Sequence, residues 1–206
     1  MSIKRFADHR AAPNAQAVFA ALCVVMLGAG LTPKAAADER DKKTIVTFSA
    51  PVEVPGKALP AGTYVFKLLD SASNRNIVQI FDKDEKQLLA TIMAIPDYRL
   101  KPTDKPVIRF EERASNAPEA IKAFFYPGDD YVLQFVYPHD KAVQLAKRTK
   151  QNVLSMRNDM AQNITAPATS ASDSSVQAMK NAEVTGVNPD GEPVDMVVII
   201  LAAPER

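Results

Sequence analysis

Residues 43–69 read KTIVTFSAPVEVPGKALPAGTYVFKLL, and the order of side chains in this stretch decides the fold class. Thr44–Ser49 is a β-branched and aromatic run, Val52–Val54 follows Pro51, and Thr63–Leu69 alternates. Tyr64, Phe66 and Leu68 fall on one face of that last run, with Val65, Lys67 and Leu69 on the other, because successive side chains of a strand point to opposite sides. Pro55-Gly56 and Pro60-Ala61-Gly62 supply the turns between the runs, Pro fixing φ and Gly accepting positive φ.

The same rhythm continues. Ile77–Phe81 and Leu88–Ile95 read as a hairpin around the polar Asp82–Lys86, and Val107–Glu112 follows a Pro-rich connection. Ile121–Tyr126 and Tyr131–Tyr137 flank Pro127-Gly128-Asp129-Asp130. About eight strands therefore fit residues 38–156, and the expected fold is mainly β, a single β-sandwich or small barrel-like domain. After Pro138 the period changes: Ala142, Leu145, Ala146 and Thr149 recur at helical spacing, predicting one helix with Asp140 as its N-cap. Lys147 and Arg148 fall near its C-terminus, where the macrodipole favours cations. Residues 157–193 carry few bulky apolar side chains and include the run Thr-Ser-Ala-Ser-Asp-Ser-Ser at 169–175, which predicts a flexible linker. Residues 194–206 contain MVVIILAA at 196–203, too short to span a bilayer. It reads as an added strand of the main sheet or as a means of self-association through residues 194–203.

The amino terminus has its own logic. Lys4, Arg5 and Arg10 precede an uncharged apolar run from Ala15 to Leu31, and Ala35-Ala36-Ala37 follows Thr32-Pro33. Cations, a short apolar middle and small residues before the cut are the layout of a secretory signal peptide, with cleavage expected after Ala37. Cys23 lies mid-run behind the bulky Leu22, which does not suit a lipid acceptor. Removing residues 1–37 takes away Lys4, Arg5, Arg10 and Lys34 but only Asp8, turning the net charge from +1 to −2. The processed chain keeps no cysteine, one histidine, and no stable membrane span.

Those counts exclude several chemistries. Lys and Arg number 25 against 24 acids with no basic cluster, so nucleic acid is not an expected partner. A disulfide framework and a Cys/His zinc site are ruled out, and no cofactor motif or catalytic elbow is present. His139 beside Asp140 suits a triad only if a serine approaches. Glu111, Glu112, Asp129 and Asp130 are the acids open to a hydrolase acting on envelope carbohydrate, though nothing sets their spacing. Asp129-Asp130 lacks the further carboxylates of a calcium loop. The richest constellation is aromatic: Phe124, Phe125, Tyr126, Tyr131, Phe135 and Tyr137 surround one turn, with Tyr98 and Arg99 in another loop. Half of these must face the core, and the rest, with Tyr98, Arg99, Tyr126, Asp130 and Tyr131 as candidates, form a ligand platform.

The phrases at 43–68, IPDYRL at 95–100 and FFYPGDDYVLQFVYP at 124–138 together resemble a family of uncharacterised exported bacterial proteins. The resemblance spans about residues 40–155 and implies a periplasmic or secreted β-rich domain; it brings no activity, cofactor or catalytic residue. The expected role is a non-enzymatic module binding an envelope protein or a glycan. Two alternatives stand beside it, the envelope carbohydrate hydrolase and a structural protein that assembles through its C-terminal strand.

Overall fold

The computed structural model of the chain describes residues 42–72, 74–98, 102, 104–111 and 118–196. The expected signal peptide with Ala37, together with Arg99, Glu112 and residues 197–206, lies outside the described residues.

The protein is mainly β, as its alternating runs predict. Strands β1 (Lys43–Phe48), β2 (Val52–Val54), β3 (Lys57–Leu59), β4 (Gly62–Asp70), β5 (Asn76–Asp82), β6 (Leu88–Tyr98), β7 (Val107–Glu111), β8 (Glu119–Phe125) and β9 (Tyr131–Phe135) form one sheet. Its strand order is β1-β4-β5-β6-β9-β8-β2-β3, with β7 also pairing β8, so the sheet does not close into a barrel. Two turns behave as read: Gly56 sits at φ +74° between β2 and β3, and Asp82 Oδ1 accepts the amides of Lys86 and Gln87 between β5 and β6.

The eleven residues of β6 explain how the sheet makes a core. Its first half pairs β5 and its second half pairs β9, with Ala94 matched to both Asn76 and Phe135. A strand shared in this way lets the sheet coil over on itself. Phe66 on β4 and Phe124 on β8 accordingly meet with ring centroids 5.0 Å apart, although β5, β6 and β9 separate their strands. Phe48 on β1 likewise reaches Phe110 on β7 at 6.5 Å. Tyr64, Phe66 and Leu68 are all buried on one face of β4, and Val65 on the other face is buried too, so this strand is covered on both sides there.

Residues 157–193 are not a linker. After β10 (Tyr137–Pro138), α1 (His139–Thr149) and β11 (Val153–Met156), a 3-10 turn at Asn158–Met160 leads into α2 (Ala161–Ile164) and α3 (Ser174–Lys180). β12 (Val184–Val187) and β13 (Pro193–Val194) then complete a second sheet of order β10-β11-β12-β13. The described residues thus hold thirteen strands where about eight were expected, and three helices where one was. The physical reason is that few apolar residues suffice when the surface they cover is already large. Ile77, Val78 and Ile80 are all fully buried, so β5 is covered on both faces, and α2 and α3 lie against β5 and β6. Ile164, Val176, Met179 and Val187 join the single main core. Polar pins add to this. Gln79 Nε2 donates to Ala168 O at 2.9 Å, Lys180 pairs with Asp70, and Arg75 donates to the carbonyls of Lys180 and Ala182. Even the serine-rich run is structured: Asp173 accepts the amides of Thr169 and Ser170, and those bonds hold its carboxyl below the usual carboxylate range. Short polar side chains that bond their own backbone build a turn as readily as a linker.

Helix α1 forms where the periodicity places it, burying Ala142, Leu145 and Ala146. Asp140 is not its N-cap. The helix starts at His139 with Pro138 in the cap position, and the Asp140 amide donates instead to Asn158 Oδ1 at 2.9 Å. Lys150 ends it in the left-handed conformation. Among the described residues no helix is long and apolar enough to cross a membrane.

Candidate functional site

The candidate residues converge only in part. Tyr126 follows β8, Pro127 and Gly128 form the turn, and Tyr131 opens β9. The Asp129 amide donates to Tyr126 O at 3.3 Å, closing the turn. Gly128 sits at φ +85°, and an added Cβ would meet nothing within 4 Å, so the turn tip stands clear of the fold. Asp130 is exposed and Tyr131 half-buried, as a platform needs. Tyr126 is not part of a platform: it is 2% exposed, with its ring packed edge-on to Phe124 at 4.8 Å. Phe124 and Phe125 are buried as well. Tyr98 ends β6 opposite Tyr131 in the strand register, while Arg99 is beyond the described residues.

Two residues that the platform left out complete the group. Asp129, 8% exposed, turns inward, and the Lys42 ammonium meets its Oδ1 at 2.5 Å. The same ammonium lies 3.4 Å from the Tyr131 hydroxyl and 5.3 Å from its ring centroid. Burial, the largest influence, pulls the Lys42 pKa down, but the hydrogen bond and charge of Asp129, aided by Tyr131, outweigh it and hold it above the ordinary value. Beneath them Tyr126 Oη and Asp129 Oδ2 are buried with no hydrogen-bond partner among the described residues. Burial pushes the Tyr126 phenol far above its usual range, with the Asp129 charge and then Tyr131 adding to the shift.

The pair Asp129-Asp130 reads from sequence as a solvated turn, and both residues precede β9, so strand alternation assigns neither a face; the fold nevertheless buries Asp129 and exposes Asp130. Which one turned inward was not readable, and Lys42, 87 residues away, gave no signal.

This cluster has a pH signature. Unfolded, Tyr126 ionises near pH 10; folded, it stays protonated. Stability is therefore intact below pH 10 and falls above it, by about 1.4 kcal/mol per pH unit from this phenol. The raised Lys42 acts in the same direction, its contribution present below its unfolded pKa of 10.5 and lost as pH rises through the raised value. Tyr126→Phe is expected to flatten the alkaline decline. Because it deletes an orphaned hydroxyl, it should raise stability at pH 8 by about 1 kcal/mol. Urea midpoints at pH 8 and pH 11 check both; an equal alkaline loss in the variant rules out Tyr126 as its source.

The other candidates are dispersed. Glu111 is buried at the far end of β8 from the turn, 3.8 Å from Lys122, whose ammonium donates to Gln151 at 2.6 Å. Glu111 is matched with Ala120, so residues 121–128, the rest of β8 and the turn, lie between that position and Asp129. The two carboxylates are on the order of 20 Å apart along the strand, whereas glycoside hydrolysis needs about 5–9.5 Å. A serine does approach His139: its Nδ1 lies 3.2 Å from Ser155 Oγ, but Ser155 is buried within the second sheet and presents no nucleophile to solvent. No group of three or more metal-ligating side chains occurs among the described residues. Comparison of the chain with protein-family models, with curated proteins and with solved structures finds no match.

Proposed function

We propose that this chain is an exported, non-enzymatic β-rich protein that binds a protein partner at the cell envelope through the turn at residues 126–131. One observation carries the reading: the projecting tip of Pro127, Gly128 and Asp130 stands on a fixed base, where Lys42 bridges Asp129 and Tyr131. A tip held this way loses little conformational freedom on binding, which is how preorganised loops gain affinity. Burial of Phe124, Phe125 and Tyr126 leaves no broad aromatic plate at the turn, which favours a protein over a glycan. The buried setting of Ser155 and the distance between Glu111 and Asp129 support a binding role over hydrolysis. The cationic and apolar amino terminus with its alanine triplet, and the resemblance to exported proteins, support the envelope as the place.

Pull-down from envelope extract with the folded chain, alongside a glycan array, tests this. The expected result is a captured protein whose affinity drops roughly tenfold, or about 1.4 kcal/mol, on Asp130→Ala. Glycan binding, or capture unaffected by Asp130→Ala and by Gly128→Pro, overturns the assignment to this turn.

A further inference from the structure

β1 ends the nine-stranded sheet, paired to β4 on one side, and among the described residues no strand pairs its other side. The register shows what that side offers. Lys43 is matched with Lys67, and one step earlier the Leu68 amide donates to Lys42 O at 2.8 Å. Hydrogen-bonded pairs alternate along an antiparallel ladder, so Lys42, Thr44, Val46 and Phe48 direct their backbone groups to β4. Lys43, Ile45 and Thr47 therefore direct their N–H and C=O groups outward. Their side chains are exposed too, and Ile45, at 64%, is the one large apolar side chain left in solvent among the described residues. The sole charge on that row, Lys43, is engaged by Glu85 at 2.7 Å. Edges are commonly blunted by charge, proline or a bulge; the stretch from Thr44 to Thr47 has none of these.

We propose that this edge pairs with the same edge of a second copy, antiparallel about a two-fold axis at Ile45. Residues directly opposite then share a face. Ile45 meets Ile45 of the second copy, and Lys43 lies opposite Thr47 at both ends, so the exposed apolar residue is covered and no like charges meet. All three outward positions form hydrogen-bonded pairs, about six bonds in all. Sliding the alignment by two residues sets Lys43 against Ile45 and loses a pair. Six residues a side cover less than the roughly 1,000 Å² typical of a stable interface, so the dimer is weak and concentration-dependent.

Light scattering and sedimentation of the purified chain from about 10 μM to 1 mM test it. The average mass is expected to rise from one chain towards two. Ile45→Pro removes an outward N–H and no bond to β4; it should keep the mass at one chain across the range with an unchanged melting transition. Ile45→Lys, which keeps the N–H but sets two cations together at the axis, should weaken association at least tenfold. Removing residues 197–206 should leave it unchanged. A single-chain mass at 1 mM, a dimer that survives Ile45→Pro, or a dimer lost only with residues 197–206 overturns the proposal, the last assigning association to the C-terminal segment.

Discussion

A chain truncated after Met156 is expected to lose its cooperative unfolding transition. Four fully buried core side chains go with the missing segment, Ile164, Val176, Met179 and Val187. At about 1.5–3 kcal/mol each, they amount to most of the 5–15 kcal/mol that a domain of this size holds in reserve. The polar losses act in the same direction. Gln79 loses the Ala168 carbonyl at a buried position, and Asp70 loses Lys180. β11 gives up its antiparallel partner β12, whose four matched residues run from Val153 with Val187 to Met156 with Val184. Because truncation also exposes the outer faces of β5 and β6, aggregation can mask the thermodynamics, and a point variant gives the cleaner number. Met179→Ala should cost about 2–4 kcal/mol, with the transition still cooperative. Urea unfolding followed by circular dichroism reads both. A truncated chain as stable as the whole would make residues 157–193 peripheral.

That segment also shows where the sequence is opaque. Its buried residues are isolated among polar ones, so no window of it has the periodicity of a core element. The cue lay elsewhere, in the adjacent apolar pairs Ile77-Val78 and Ile80-Phe81, which put apolar side chains on both faces of a strand, as one with a wet face would not. Such a pattern asks for a second cover without naming it. By contrast the β5–β6 hairpin and α1 were legible, because in each the side-chain period and the bounding turn agree within a dozen residues. The candidate site divides the same way. The turn at 127–130 announces itself through Pro-Gly-Asp-Asp, whereas the choice between Asp129 and Asp130, and the arrival of Lys42, depend on strand pairing that only the assembled sheet fixes.

The coil of the main sheet can be read out by one pair of rings. Phe66 and Phe124 are fully buried and in contact, yet they belong to strands that share no hydrogen bond. Phe124→Ala is expected to destabilise the fold by about 3–5 kcal/mol, since it removes a whole buried ring from a position flanked by Phe66 and Tyr126. Size alone does not identify the contact, so the informative measurement is a cycle with Phe66→Leu, Phe124→Leu and the double variant. Each single change should cost about 1–1.5 kcal/mol, close to a volume-conserving swap. The double should cost less than their sum by roughly 0.5–1.5 kcal/mol, the worth of a tilted aromatic pair beyond its buried area. A strictly additive cycle would mean that β4 and β8 do not face each other in solution. The turn at 126–131 would then lose its footing, for Tyr126 packs on the very ring that Phe66 meets, and the base under Asp130 depends on that stack.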